Sequence, residues 1–372
     1  MIERTLTTRI SGKVNRNKAI IIIGPRQVGK TTLIKDQLRT TEYLFFNGDD
    51  PTDRTTLDTP NTARLRSLIE NKKVVYIDEA QRFNNIGLTL KIIVDQFKDV
   101  QLWVSGSSSF SLFNELNEPL TGRKWEYELF PISWEEYQQH VGYLESERQL
   151  ENRLLYGMYP DVINNPGEEI DILRNLVDSY LYKDVLAYAG MRKPEVLDKL
   201  VQALALQIGS EVNYNELSRL IGVDRNTVEN YISILEKAYV VFRLPSYNRN
   251  VRNEIKKGRK VYFYDTGIRN AIIGATNDLA LRSDLGPLWE NFLIAERIKQ
   301  NRYKVTLARS YFWRTTSQQE IDYVEMTGTT LTAFEFKWSS RKKAKFPTTF
   351  SSNYGATEQV VNRDNFREFV II

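Results

Sequence analysis

The sequence predicts an α/β protein: a parallel-sheet core with a phosphate-binding loop, then helices, a helix-turn-helix and a C-terminal α/β domain. Three observations predict it. The β-branched run at 19–23 leads straight into a Gly-rich loop. A second buried-type run at 74–77 ends in paired carboxylates, Asp78-Glu79. Near the C-terminus, residues 320–338 alternate as a two-stranded hairpin that carries further acids and a lysine. Continuous apolar runs suit strands covered on both faces, and alternation suits a hairpin with one core face.

Composition narrows the chemistry. The chain has 372 residues, 26% charged and 41% hydrophobic, with a net charge of +4. At roughly 150 residues per domain this length holds two or three domains. Without Cys there is neither a disulfide nor a thiolate zinc site, and His140 stands alone. Any metal must be held by oxygen ligands, which favours magnesium or manganese. No apolar run approaches the ~18 residues of a spanning helix. The first eighteen residues are basic but lack an apolar stretch, so they are expected to form a lead helix of a cytoplasmic protein.

The loop Gly24-Pro25-Arg26-Gln27-Val28-Gly29-Lys30-Thr31 matches G-x-x-x-x-G-K-[ST] between a strand and a helix, and Thr32 follows it. Its backbone N–H groups and the helix N-terminus would cradle phosphates. Lys30 would reach the β- and γ-phosphates, and Thr31 would ligate Mg²⁺. Asp78 is expected in the Mg²⁺ shell, and Glu79 is expected to orient or deprotonate the attacking water. The third strand, at 102–104, leads to Ser105-Gly106-Ser107-Ser108-Ser109, either a γ-phosphate contact or a polar turn. Arg123 is a candidate arginine finger or γ-phosphate sensor. The guanine-reading Asn-Lys-x-Asp pattern is absent, which favours ATP.

These stretches, together with Gly122-Arg123 and the Leu-Phe-Pro-Ile-Ser-Trp-Glu-Glu run at 129–136, resemble a prokaryotic group of AAA-type ATPases. Members carry a C-terminal domain of unknown function. The resemblance implies a P-loop parallel-sheet ATPase core at 1–135 and a helical lid at 136–208, and a homo-oligomer is expected. Ser133 with Glu136 reads as a capping box that opens the lid.

Residues 209–255 read as a winged helix-turn-helix. Asn213 caps a helix holding Leu217, Leu220 and Ile221; a turn at 222–224 follows, then a helix with Val228, Tyr231, Ile232 and Leu235 on one face. The second helix mixes Arg225 and Lys237 with Asp224, Glu229 and Glu236, so a packing role is expected over direct groove reading. Basic runs at 249–260 and 337–345 are the candidate DNA contacts, with exposed basic loops as the alternative.

In the C-terminal domain, 256–372, a two-residue turn at Gly328-Thr329 sets Asp322 opposite Glu335 and Lys337 opposite Glu320. Mg²⁺ held by Asp322 and Glu335 would polarise a phosphodiester, with Lys337 positioning the water and Glu290 adding a ligand from a helix. This set, Glu290, Asp322, Glu335 and Lys337, resembles the restriction-endonuclease-like nuclease fold, with Ile321 where a Pro usually precedes the Asp. Two readings stand: an ATPase coupled to a nuclease-like domain on DNA, or an ATP-controlled switch binding a protein partner, with the nuclease-like domain silent.

Overall fold

The computed structural model describes residues 1–59, 61–107, 119–178, 194–248, 258–342 and 344–372. Ser108, Ser109, residues 249–257 of the first basic run and Lys343 of the second lie outside the described residues. The chain groups into two compact units, residues 1–131 with 237–239, and residues 132–236 with 240–372. The segments read as lid, helix-turn-helix and C-terminal domain thus fall, apart from 237–239, in the second unit.

The first unit is a five-stranded parallel sheet, β1 (Ala19–Gly24), β2 (Leu44–Asn47), β3 (Val74–Asp78), β4 (Gln101–Ser107) and β5 (Lys124–Glu128). Its order is β2-β3-β4-β1-β5. Every residue of β1, β3 and β4 is buried, as expected of apolar runs with helices on both faces. Ile21, Ile23, Val75, Ile77, Leu102 and Val104 share one core with Leu65, Ile86, Leu90 and Ile93 from the helices Thr62–Ile69 and Ile86–Gln96. Because β4 lies between β1 and β3, its carboxyl end sits between the Gly-rich loop and the Asp78-Glu79 pair.

In the second unit, helix Trp134–Val141 opens with the expected capping box between Ser133 and Glu136. Further on, β6 (Glu211–Val212), helices Tyr214–Ile221 and Arg225–Lys237, β7 (Val241–Pro245) and β8 (Arg259–Phe263) follow in order. The strands pair antiparallel as β6-β8-β7. Asn213 and Asp224 cap the two helices, accepting from Asn215, Glu216 and Thr227 N–H groups. Leu217, Ile221, Val228, Ile232 and Leu235 are buried as expected, but Leu220 is 64% exposed. It lies one residue off the inward stripe of a short helix.

A second sheet, β12-β11-β10-β9, contains β9 (Arg309–Arg314), β10 (Glu320–Thr327), β11 (Thr330–Phe336) and β12 (Thr357–Val361). The β10–β11 register is the expected one, with Tyr323 opposite Phe334 and Thr327 opposite Thr330. Toward β9 the register shifts between Ile321 and Val324, a bulge at Asp322-Tyr323. The bulge corrects one facial assignment. Strict alternation along the strand would put Ile321 on the face of Tyr323, but it packs with Trp313, Val324, Leu331 and Ala333. The 20-residue helix Leu285–Lys304 is buried along much of its length and carries Glu290. Among the described residues, no helix is long and apolar enough to cross a membrane.

Candidate functional sites

The phosphate loop runs from the end of β1 to helix Lys30–Gln37. Gly29 takes φ +93° at the helix start, a conformation that favours glycine. Lys30 is buried, and its Nζ donates to the carbonyls of Gly24 (3.0 Å) and Pro25 (2.7 Å), folding the side chain over the loop. Arg4 holds the loop from outside. Its guanidinium donates to Val28 O (2.7 Å) and to Phe130 O (2.6 Å), tying the loop to the segment after β5. Arg4 is 7% exposed; in the sequence it reads only as one of several basic residues near the start.

At the carboxyl ends of β3 and β4 the side chains form a connected chain. Thr31 Oγ1 donates to Asp78 Oδ2 at 2.9 Å, and Ser105 Oγ donates to Asp78 Oδ1. An ionised carboxylate only accepts, so the Ser105 proton is committed to Asp78 and the Tyr76 hydroxyl must donate to Ser105 (2.8 Å). Burial, reinforced by the Asp78 charge, pushes the Tyr76 hydroxyl well above its ordinary value and keeps that donor protonated. Glu79 sits at φ +48°, a left-handed conformation unusual for a non-glycine residue. Gly48 accommodates it, since a Cβ there would lie 2.3 Å from the Glu79 carbonyl oxygen. The Gln81 amide donates to the Glu79 carboxylate and accepts from the Ser107 N–H (3.2 Å). Gln81 therefore orients Glu79 from β4, a role with no separate signal in the sequence.

Arg123 is placed elsewhere. Its carbonyl accepts from Ala19 N–H at the beginning of β1, and its Nε donates to Asp95 at 2.7 Å. The phosphate loop begins at the other end of β1, roughly 16 Å away at the strand rise of ~3.3 Å per residue. Arg123 thus does not serve the loop of its own chain. The Gly-Arg pair reads as a finger in sequence because strand direction, which sends it to the opposite sheet edge, is not visible there.

In the second unit, the structure brings Glu290, Asp322, Glu335 and Lys337 into one cluster, together with Lys260, Tyr262 and Glu320. Lys337 Nζ lies 2.7 Å from Glu335 Oε2 and 3.7 Å from Asp322 Oδ2. It was expected opposite Glu320, but Glu320 pairs with Lys260 (2.5 Å) and with Arg314 (3.7 Å). The β10–β11 pairing ends at Tyr323–Phe334, short of both residues. At Asp322 the carboxylate accepts the Phe336 N–H (2.8 Å), and the regular backbone pairing gives way to a side-chain bond.

Lys260 is the second correction. Expected in an exposed basic run, it is 1% exposed and lies 3.0 Å from Glu290 Oε1. The Tyr262 hydroxyl donates to that same Glu290 oxygen at 2.5 Å. Burial pushes the Glu290 carboxyl up to about 7, opposed by the Lys260 charge and reinforced by Asp322. Burial would lower Lys260, but Glu290 and Glu320 hold it above its ordinary value, so it stays a cation. Glu335 is likewise raised, by burial and by the Asp322 charge. Among the described residues, no three acidic or histidine side chains converge so as to hold a metal ion.

Comparisons with known proteins divide along the chain. Residues 16–138 match a family described as AAA domain, and residues 147–279 and 285–370 each match a domain of unknown function, DUF8612 and DUF4143. The relatives include uncharacterized proteins of Mycobacterium tuberculosis and Mycobacterium bovis, each 29% identical over 345 residues, covering 91% of this chain and 74% of theirs. An uncharacterized protein of Methanocaldococcus jannaschii is 22% identical over 268 residues, 66% of this chain and 60% of its own. Among solved structures, a Walker-type ATPase of Pyrococcus abyssi has a TM-score of 0.50 at 14% identity, covering 73% of this chain and 96% of that one. That likeness is one of fold. Residues 16–138 carry an AAA-type P-loop ATPase fold.

Proposed function

We propose that the first unit binds ATP and hydrolyses it. The observation that carries this is the Tyr76–Ser105–Asp78–Thr31 chain of hydrogen bonds, held at the strand ends beside the Lys30 loop. Residues 24–29 and Lys30, with Thr32 behind them, would hold the phosphates. Thr31 and Asp78 offer two hard oxygen donors already 2.9 Å apart, which fits Mg²⁺. The ion would neutralise charge on the phosphate oxygens. Glu79, oriented by Gln81, would accept the proton of the attacking water. Lys30→Ala should abolish ATP turnover, and Glu79→Gln should lower it by ~10²–10⁴. Undiminished turnover in Lys30→Ala overturns the assignment.

For the second unit we propose a winged helix-turn-helix at residues 209–255 beside a restriction-endonuclease-like domain at 256–372 that acts on or binds DNA. Lys337 poised between Asp322 and Glu335 supports it. Cleavage would use Mg²⁺ on Asp322 and Glu335, with Lys337 positioning water. The alternative, a silent domain under ATP control, draws support from Lys260, whose buried ammonium pairs with Glu290, the residue expected to add a metal ligand. Mg²⁺- or Mn²⁺-dependent cleavage of DNA that is lost in Lys337→Ala supports the active form. DNA binding without cleavage supports the silent one. ATP turnover indifferent to DNA favours a protein partner.

A further inference from the structure

A cleft of about 660 Å³ opens in the second unit between the starts of helices Tyr214–Ile221 and Arg225–Lys237, the start of β8, and the turn from β9 to β10. Among the described residues, Arg225, Arg259 and Arg314 line it. We infer that this cleft binds the backbone of an unpaired nucleic-acid strand. The inference rests on the reading of the second unit as a DNA-acting one, and it joins Arg259, from the basic run at 249–260, to Arg225 and Arg314, which lie in neither run.

The chemistry of the walls selects the ligand. Guanidinium groups match phosphate oxygens in a planar, bidentate geometry. Asn215, Gln318 and Tyr214 also line the cleft, groups that bond base edges or stack on them, and the Gln318 amide oxygen accepts from Arg314. Glu211 and Glu229 also face the cleft. They repel any polyanion, but a nucleic acid, unlike an acidic peptide, also brings base amino groups that donate to carboxylates. A cavity of this volume takes a group the size of a small ligand, so a strand end or unpaired segment enters and a duplex does not.

The cleft also adjoins the carboxylate cluster. Arg314 approaches Glu211 at 4.0 Å on the cleft side and Glu320 at 3.7 Å, and Glu320 in turn holds Lys260. A strand seated on Arg314 would therefore run beside the cluster that holds Asp322, Glu335 and Lys337.

The test uses the full chain and a fluorescently labelled single-stranded oligonucleotide of mixed sequence, read by anisotropy over a range of salt concentrations. Wild type should bind it more tightly than a duplex of the same sequence. Arg225→Glu and Arg259→Gln should each weaken binding about tenfold or more and flatten the salt dependence by ~0.7 per lost phosphate contact. Arg225 is exposed, so its replacement leaves the fold intact, and melting curves check both variants. Arg174→Ala, at an exposed arginine outside the cleft, should bind as wild type does. Equal binding by wild type and both arginine variants overturns the cleft while leaving DNA recognition standing. Failure of wild type to bind either strand or duplex overturns the DNA reading and the cleft with it. Displacement of the oligonucleotide by polyglutamate at equal charge overturns the choice of ligand.

Discussion

The two candidate sites both gather carboxylates at strand ends, but they balance the charge in opposite ways. Asp78 is held by the hydroxyls of Thr31 and Ser105 and by the Glu79 N–H. The C-terminal acids are held by ammonium and guanidinium groups: Lys260 on Glu290 and Glu320, Lys337 on Glu335 and Asp322, Arg314 on Glu320. Hydroxyls orient a carboxylate without cancelling its charge, so Asp78 remains an attractive ligand for a cation. Lysines cancel the charge in place. The same residue type at the same kind of position therefore means different chemistry, depending on whether its partners are neutral or cationic.

The largest test of that contrast is Lys260→Met. Removing a buried ammonium leaves Glu290 and Glu320 without their shared cation, and the expected cost is about 3–5 kcal/mol in urea denaturation. A loss below about 1 kcal/mol would mean that the cluster does not depend on its own cations. In the first unit, Ser105→Ala should leave the fold intact and reduce ATP turnover about ten- to a hundredfold. It deletes a hydrogen bond to a charged group, worth ~1.5–3 kcal/mol. Turnover within twofold of wild type would show that Asp78 needs no positioning from β4.

A third prediction separates the units by acid. Burial would raise Asp284, but hydrogen bonds and charge from Arg282 and Arg269 hold it down to about 2, against an ordinary value of 3.8. A depressed carboxyl stabilises the fold above its unfolded value, and that contribution fades as pH falls from about 4 toward 2. Asp284→Asn should therefore cost on the order of 1–2 kcal/mol at pH 7 and almost nothing near pH 2. A cost independent of pH would contradict the ion pair as its source. The smallest effect belongs to Arg123→Ala. Its partly exposed pair with Asp95 is worth less than about 1 kcal/mol, and single-chain ATP turnover should change less than twofold. A large loss of turnover that grows with protein concentration would instead place Arg123 at the loop of a neighbouring copy.

What could be read from the sequence was what is contiguous. The loop at 24–31, the strand ending in Asp78-Glu79 and the Ser133–Glu136 box are local patterns, each carried by one stretch of backbone. The β10–β11 register was also legible, because a two-residue turn fixes every opposing pair. The bulge was not. It inserts one residue against β9 without any Gly or Pro to mark it, and it moves Ile321 to the other face. Lys260 was misread for a related reason. Surrounded in sequence by Arg259 and the lysines at 256–257, it looks solvated, yet strand alternation turns it inward onto acids 30 and 60 positions away.

Arg4 has a practical consequence for anyone preparing the ATPase core alone. The match to the AAA family begins at residue 16, which makes that an inviting place to start a shortened protein. Such a truncation would retain every residue of the phosphate-loop motif and lose the clamp that joins Val28 to Phe130. Weak nucleotide affinity in that fragment would then report a missing buttress upstream and would be wrongly blamed on a degenerate loop.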